Sequence, residues 1–310
     1  MAIDCGDNKR VNQCAMVIKG ISDCASILTY IAAIHIQDSG DDMNQEVRVA
    51  TQDQVVEITI DRPPANAINP GVSNAIFEAL TMLQNEDDLR VGIITGGGER
   101  IFSAGWDLKE IAAIDSNEEA VNSAFQCPGG FAGISEFWGL KKPVIAAING
   151  IAVGGGFEIA LACDLIVAAD HVEFFLPEMQ RGFLPDVGAV QILPRRLPYN
   201  VALDLLYTGR RMGAAEAMRW GLVNRLCPAD LLMDTARALA RDIARGAPLA
   251  LQALKEVVPA IYNLPLPDAF AATKPGNDAL PTYQRMLMSE DFMEGPRAFA
   301  EKRDPVWKGK

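Results

Sequence analysis

Two glutamates in apolar surroundings are the side chains best suited to acid–base chemistry in this sequence. Glu158 lies in an apolar segment directly after three glycines, and Glu178 ends the run Phe174-Phe175-Leu176-Pro177. A carboxyl group among apolar residues keeps its proton to a higher pH than an exposed one, so two such groups can act as a proton donor and a proton acceptor. Either glutamate taken alone is equally compatible with an exposed carboxylate in a turn.

The three glycines before Glu158 are the second feature that could do chemistry. Gly154, Gly155 and Gly156 join an apolar strand pattern to an apolar helix pattern. Glycine lets backbone approach a ligand closely, and the start of a helix offers unpaired N–H groups, so the turn can hold an oxyanion or simply pack helix on strand. No Lys-Ser or Lys-Thr follows the glycines, and their spacing differs from G-x-G-x-x-G, which argues against nucleotide phosphate and dinucleotide sites.

Composition narrows the remaining chemistry. The 310 residues include only two histidines, His35 and His171, so a paired-histidine zinc motif cannot form, and no metal site is predicted. The net charge of −12 argues against nucleic acid and an anionic membrane as partners. The apolar stretch 15–36 contains Lys19, Asp23 and His35 and is too polar for a good membrane span. Six cysteines without a C-x-x-C pair predict reduced thiols and a cytoplasmic location.

The elements that must position these groups are short apolar strands between helical patterns. Residues 56–60, 91–95, 144–148 and 165–168 have strand character, and residues 73–84 have helical spacing. Strands that are apolar on both faces indicate a sheet covered on both sides, hence an α/β layered fold. Beyond Pro198 helical patterns dominate, with one helix expected to be capped by Asp230 and to run to Ala244, and another expected over residues 249–262.

The chain is predicted to have three parts. Residues 1–42 form an N-terminal extension that ends in a polar run, either a start-site artefact upstream of Met43 or a helical or disordered arm. Residues 43–240 form the α/β core, and residues 241–310 form a helical C-terminal region.

The order of motifs after residue 45 resembles the crotonase (enoyl-CoA hydratase/isomerase) superfamily. The matching segments are Asp61-Arg62-Pro63, Asn66-Ala67-Ile68, Phe102-Ser103-Ala104-Gly105-Trp106-Asp107-Leu108, Lys142–Gly150, Gly154-Gly155-Gly156-Phe157-Glu158, Leu176-Pro177-Glu178 and a C-terminal run over residues 294–303. The resemblance implies a crotonase-like ββα spiral core, an α-helical C-terminal oligomerisation region, and a homotrimer or homohexamer.

The resemblance also implies the roles of the site residues. The backbone N–H groups of Trp106 and Gly155 would form an oxyanion hole for the carbonyl oxygen of an acyl-CoA thioester. Glu158 would activate water at the β-carbon and Glu178 would transfer the α-proton. Ala104 and Phe131 would contact the substrate. Coenzyme A would be part of the substrate, and no separate cofactor is expected.

Three cationic or aromatic positions match residues that contact coenzyme A in this superfamily. Lys109 matches a phosphate-contacting lysine, and Phe299 and Lys302 match C-terminal residues that reach the nucleotide, in many members from a neighbouring subunit. Lys109 read without the resemblance is equally compatible with a solvated surface charge. Pro64 stands where relatives often carry another phosphate-contacting lysine, which puts that contact in doubt.

Within the superfamily the resemblance is greatest to members that interconvert carnitinyl-CoA and crotonobetainyl-CoA, whose acyl group ends in a trimethylammonium. The aromatic residues Trp106, Phe131, Phe137 and Trp138 would form a cage for that cation, or would only pack the segment. Asp186 departs from the simple hydratase pattern. It would act as an isomerase acid, neutralise a cationic substrate, or cap a helix that starts at Val187.

Other functions stay open at this point. The first is a broad enoyl-CoA hydratase or an enoyl-CoA isomerase, which product identity would distinguish. The second is a non-catalytic acyl-CoA-binding protein, in which replacing Glu158 by glutamine would change nothing. The third is an unrelated nucleotide-binding α/β protein, which ATP rather than a CoA ester would stabilise.

Overall fold

Two β-sheets form the framework of residues 46–116, 118 and 127–310, which this computed structural model describes. The larger sheet has the order β1-β2-β3-β5-β7-β10, in which β1 is antiparallel to β2 and the other neighbours are parallel. Its strands are β1 (Val47–Gln52), β2 (Val55–Ile60), β3 (Val91–Gly96), β5 (Val144–Ile148), β7 (Leu165–Ala169) and β10 (Arg225–Cys227). The smaller sheet contains β4 (Ile101–Ser103), β6 (Ile151–Val153), β8 (Glu173–Phe175) and β9 (Met212–Gly213), in that order.

Helices cover these sheets and make up most of the C-terminal part. Those whose full extent is described are α1 (Pro70–Asn85), α2 (Leu108–Ala112), α3 (Gly155–Ala162), α4 (Ala189–Arg196), α5 (Tyr199–Thr208), α6 (Ala214–Arg219), α7 (Leu232–Ala244), α8 (Pro248–Ile261), α9 (Leu266–Ala272), α10 (Pro281–Leu287) and α11 (Glu290–Glu301). Short 3₁₀ turns occur at Phe131–Gly133, Glu178–Arg181 and Ala229–Leu231.

The strand β5 shows why the apolar runs in the sequence are continuous. Its alternate residues enter two different cores: Val144, Ala146 and Ile148 lie in the larger one, and Ile145 and Ala147 lie in the smaller one. Helix α7 closes the smaller core with its alanine-rich face. Both faces of the sheet are therefore buried, which confirms the predicted α/β layered arrangement.

The predicted strands over residues 56–60, 91–95, 144–148 and 165–168 are present within a residue or two of their expected ends. The helix expected to run to Ala244 is present, but the expectation that Asp230 caps it is wrong, because Asp230 lies in a 3₁₀ turn and α7 starts at Leu232 without a side-chain cap. The N-terminal extension of residues 1–42 and its apolar stretch 15–36 lie outside the described residues. Where the structure describes the chain, none of the helices combines the length and apolar character needed to cross a membrane.

Candidate active site

The glycine turn joins β6 to α3 and places backbone against a carboxylate. Gly154 has φ +56°, and its N–H donates to the carbonyl oxygen of Phe175 at 3.0 Å. A Cβ atom on Gly154 would come within 2.4 Å of Oε1 of Glu178. The absence of a side chain at this position therefore lets the Glu178 carboxylate lie directly against the turn.

Two backbone segments meet beside this turn. Gly105 has φ +75°, and a Cβ atom on it would lie 2.5 Å from the nitrogen of Gly155, so the chain before Trp106 contacts the start of α3. Ile68 donates to Gly105 and accepts from Asp107, which turns the intervening Trp106 N–H away from Ile68. Among the hydrogen bonds of the described residues, none uses the N–H of Trp106 or Gly155. Both N–H groups are therefore donors without an acceptor among the described residues.

Glu158 lies in the first turn of α3 and is almost completely buried, with 2% of its surface exposed. Its Oε1 accepts hydrogen bonds from the backbone N–H groups of Val187 and Ala189, both at 3.0 Å. Burial raises the pKa of Glu158 to about 8; these two hydrogen bonds oppose the rise, and the charges of Glu178 and Asp186 add to it.

Glu178 begins the 3₁₀ turn that follows β8, and 5% of its surface is exposed. Its Oε2 is buried and has no hydrogen-bond partner among the described residues. Burial raises the pKa of Glu178 to about 7, against the opposing charge of Arg181, and the charge of Asp186 adds to the rise. Both glutamates therefore titrate near neutral pH, as a proton donor and acceptor require.

Both glutamates line one cavity of about 240 Å³. Seven of the residues predicted from sequence line it: Ala104, Trp106, Phe131, Gly155, Glu158, Glu178 and Asp186. The remaining three predicted residues do not: Lys109 is exposed on α2, Phe299 is 87% exposed on α11, and Lys302 follows that helix. The cavity also takes in Arg181, Phe183 and Leu184, which the sequence argument missed because only their proximity to Glu178 in the chain could have suggested them.

The aromatic cage is only partly formed. Trp106 and Phe131 line the cavity and pack edge to face, with ring centroids 6.5 Å apart and planes at 82°. Phe137 packs instead against Phe77 at 4.8 Å, and Trp138 is 83% exposed. The expectation that all four aromatic residues lie near the acyl pocket is thus wrong for the last two.

Asp186 is exposed at the cavity, and its carboxylate takes part in none of the hydrogen bonds or ion pairs found among the described residues. The expectation that Asp186 caps a helix starting at Val187 is wrong, because α4 starts at Ala189 after Gly188 and has no side-chain cap. The N–H groups at this helix start donate to Glu158, a carboxylate from another helix, which takes the place of a local cap.

A charged network behind Trp106 was not predicted. The guanidinium of Arg62 donates to Glu46 and Asp107, each at 2.6 Å, and to Glu110 at 3.1 Å. Asp107 in turn caps α2 by accepting from the backbone of Lys109 and Glu110. The hydrogen bond from Arg62 lowers the pKa of Asp107 below its usual value. The motif Asp61-Arg62-Pro63 marked this arginine in the sequence but gave no sign of its partners.

In the part of the chain that the structure describes, no group of three or more His, Cys, Asp or Glu side chains could hold a metal ion. The three described cysteines, Cys127, Cys163 and Cys227, are free thiols. The cavity thus combines two buried carboxyl groups with two residues, Trp106 and Gly155, whose backbone N–H groups have no described acceptor.

Comparison with known proteins places this site in a family. Residues 50–310 match the family model described as enoyl-CoA hydratase/isomerase. Carnitinyl-CoA dehydratases from Citrobacter koseri and Salmonella agona are 50% and 49% identical over 268 residues, which is 86% of this chain and 100% of each relative.

Solved structures agree. An enoyl-CoA hydratase from Mycobacterium tuberculosis H37Rv superposes with a TM-score of 0.76 at 38% identity, covering 86% of this chain and 99% of the other. An enoyl-CoA hydratase from Bacillus anthracis superposes with a TM-score of 0.76 at 35% identity, covering 86% of this chain and 100% of the other. These matches confirm the predicted fold and support the predicted enzyme class, an acyl-CoA hydro-lyase. The chain belongs to the enoyl-CoA hydratase/isomerase family.

Proposed function

We propose that the protein adds water to, or removes it from, the α,β double bond of an acyl-CoA thioester, with crotonobetainyl-CoA and carnitinyl-CoA as the substrate pair. One observation carries the proposal: two buried carboxyl groups with raised pKa values share a cavity with two backbone N–H groups that have no described acceptor. The substrate pair is drawn from the relatives named carnitinyl-CoA dehydratase.

The two glutamates share one proton in both directions of the reaction. In hydration, ionised Glu158 takes a proton from a water molecule while the oxygen of that water attacks the β-carbon. Protonated Glu178 gives its proton to the α-carbon. The pair then holds Glu158 protonated and Glu178 ionised, which is the state that dehydration requires. Mutual repulsion in a buried site favours this single-proton state near neutral pH, because both raised pKa values lie close to it.

The backbone donors act on the thioester. When a proton leaves or joins the α-carbon, negative charge develops on the carbonyl oxygen. The N–H groups of Trp106 and Gly155 stabilise that charge, and a single donor of this kind contributes about 3–4 kcal/mol to lowering the barrier. The contact between Gly105 and Gly155 fixes their separation, so the donors need little reorganisation during the reaction.

Coenzyme A binding and assembly belong to the same proposal. Lys109 next to the cavity residue Leu108 is suited to a phosphate, and Phe299 and Lys302 would serve a neighbouring subunit of a homotrimer or homohexamer. Large apolar side chains exposed in the C-terminal part of the chain, among them Leu266, Phe270 and Met288, support such an interface. Light scattering of the purified protein tests the assembly. The cytoplasmic location stays a prediction.

The test is a panel of enoyl-CoA esters, including crotonobetainyl-CoA and crotonyl-CoA, incubated with the purified protein. Addition of one water to the product, seen by mass spectrometry, supports the proposal. Glu178→Gln should remove turnover while retaining binding of a saturated acyl-CoA. Binding without any water addition would contradict hydro-lyase function and favour a non-catalytic acyl-CoA-binding protein.

The second candidate is an enoyl-CoA isomerase. The observation that favours it is the third carboxylate, Asp186, at the same cavity, since a further acid could carry protons between carbons of a longer enoyl chain. Product identity distinguishes the two: migration of the double bond leaves the mass unchanged, whereas hydration raises it.

A further inference from the structure

The cavity carries more negative charge than acid–base chemistry at one double bond requires. Among the described residues, the charged lining of the cavity consists of the carboxyl groups of Glu158, Glu178 and Asp186 and a single guanidinium, that of Arg181. Glu158 and Glu178 account for the proton transfers. Asp186 is left without a chemical role, and its charge makes ionisation of both glutamates harder.

Asp186 is held close to Glu158 by its neighbour in the chain. The N–H of Val187 donates to Glu158 at 3.0 Å, so Asp186 stands one residue from the hydrogen bond that orients the glutamate. Its own carbonyl oxygen is held by the side chain of Gln191 at 2.6 Å. The carboxylate itself takes part in none of the described hydrogen bonds or ion pairs, so its charge is available to a ligand.

The substrate pair proposed above places a positive charge at the same point. In crotonobetainyl-CoA the quaternary nitrogen is bonded to the γ-carbon, only two bonds from the β-carbon on which Glu158 acts. The nitrogen must therefore lie among the side chains next to the glutamates. Trp106 and Phe131 line the same cavity, and aromatic faces attract quaternary ammonium groups.

We propose, on the basis of the function proposed above, that the Asp186 carboxylate together with Trp106 and Phe131 selects an acyl-CoA with a quaternary ammonium on its γ-carbon over a neutral acyl-CoA of the same shape. The ammonium group offsets the repulsion between the Asp186 carboxylate and the ionised glutamate, whereas a neutral acyl group leaves it in place.

The test compares crotonobetainyl-CoA with its neutral isostere, in which a tert-butyl group replaces the trimethylammonium. The ratio of kcat/KM for the charged over the neutral ester is measured in the wild type, Asp186→Asn, Asp186→Glu and Arg181→Gln. Both substrates meet the same two glutamates, so any effect of Asp186 on their ionisation cancels in this ratio. We expect Asp186→Asn to lower the ratio about 10-fold, since a partly exposed charge pair contributes more than a fully solvated one and less than a buried one.

The other two variants test whether the ratio changes in the direction that the charge of the cavity lining predicts. Asp186→Glu keeps the charge, so its ratio should be much closer to that of the wild type than the ratio of Asp186→Asn is. Arg181→Gln removes the positive charge of the described lining and should raise the ratio above that of the wild type. Added salt should lower the ratio in the wild type and have little effect in Asp186→Asn. Circular dichroism of Asp186→Asn checks that the exposed, isosteric replacement leaves the fold intact.

An unchanged ratio in Asp186→Asn overturns the inference, and equal losses of rate on both esters, which leave the ratio unchanged, would make Asp186 a catalytic or structural residue. A wild type that hydrates both esters at equal kcat/KM also overturns it and leaves the hydro-lyase function standing. A wild type that hydrates neither ester, nor crotonyl-CoA, contradicts the proposed function itself.

Discussion

Carboxyl groups in two adjoining regions have pKa values shifted in opposite directions. In the cavity, Glu158 and Glu178 are buried without a cation bonded to them, and their pKa values are raised to about 8 and about 7. Directly after the cavity residue Trp106, Asp107 bonds to Arg62, and its pKa is lowered. The difference teaches that the bonded guanidinium, more than burial alone, decides whether a carboxyl group here holds a fixed charge or exchanges a proton.

The largest expected effect comes from removing the exchangeable protons. Glu158→Gln and Glu178→Gln each keep the side-chain shape but cannot exchange a proton, so kcat should fall by about 10²–10⁴-fold or more. The double variant should be hardly slower than either single one, because the pair acts as a unit. Turnover is measured with an enoyl-CoA ester, and titration with a saturated acyl-CoA checks that binding persists. Wild-type kcat in either variant would remove that glutamate from the mechanism.

The next effect tests the backbone donors between the two regions. Gly105→Ala would place a Cβ atom 2.5 Å from the nitrogen of Gly155, so the two donors must separate. We expect kcat to fall about 10²–10³-fold, as loss of an oxyanion-hole donor does.

The matched control for that variant is Gly221→Ala. Gly221 has φ +78°, close to the +75° of Gly105, but a Cβ atom there meets nothing within 4 Å. Both variants should lose about 1–2 kcal/mol of stability to the left-handed backbone, whereas only Gly105→Ala should lose turnover. Equal activities of the two would show that the approach of the two segments does not matter for catalysis.

A smaller effect tests the paired region. Arg62→Met leaves Asp107 and Glu46 without their cation and loosens the segment that carries the Trp106 N–H. We expect a loss of about 1–3 kcal/mol in the free energy of unfolding and a fall in kcat of about 10-fold, with KM changed less. Chemical denaturation and steady-state kinetics measure the two quantities.

Arg237→Met is the control, because Arg237 makes a similar two-pronged pair with Glu57 on β2, at 2.6 and 2.8 Å. It should lose comparable stability and keep its kcat. If both variants lose kcat equally, Arg62 supports the fold in general and has no particular part in placing Trp106.

The two regions also differ in how much of each could be predicted from the sequence. Glu158 and Glu178 could be found because their apolar neighbours in the chain are also their neighbours in space, within one helix and one turn. The partners of Arg62 could not be found from the sequence, since Asp107 is 45 residues away and no local pattern requires the two side chains to meet. Asp186 was expected as a possible helix cap from its local position, and the structure instead assigns the N–H groups at that helix start to Glu158, which is 29 residues away from Val187.

The strands were predictable for a related reason. Alternate residues of β5 enter two cores, so every residue is apolar and the run is visible in one dimension. The lining of the cavity was harder to predict from the sequence. No sequence pattern distinguishes a cavity wall from an exposed turn at Arg181, Phe183 and Leu184. The distant Phe299 and Lys302 rest on resemblance alone, and their roles stay predictions.

The pH dependence of rate sharpens the contrast between the two regions. In the proposed mechanism the cavity pair reacts with one shared proton, so kcat/KM should follow a bell-shaped profile with apparent pKa values of about 7 and about 8, which belong to the pair. Asp107 should leave no trace in this range, since its pKa is lowered. A profile without any inflection between pH 6 and 9 would contradict the proton-sharing mechanism, given a substrate that does not titrate there.

The smallest expected effect is on stability. For Glu178 the folded-state pKa is raised from 4.5 to about 7, so the protonated group contributes stability that is fully present below pH 4.5 and is lost as the pH rises through 7. Glu178→Gln stays neutral, and the difference in free energy of unfolding between this variant and wild type should shift in its favour between pH 5 and pH 8, by on the order of 1–3 kcal/mol. Denaturant titrations at both pH values measure the shift.

For Asp107→Asn the difference in free energy of unfolding from wild type should shift the opposite way, and at lower pH, because the pKa of Asp107 is lowered and its ionised form stabilises the fold above the unfolded pKa. The two variants thus separate a carboxyl group kept for proton exchange from one kept for its charge, and parallel shifts in both would refute the distinction.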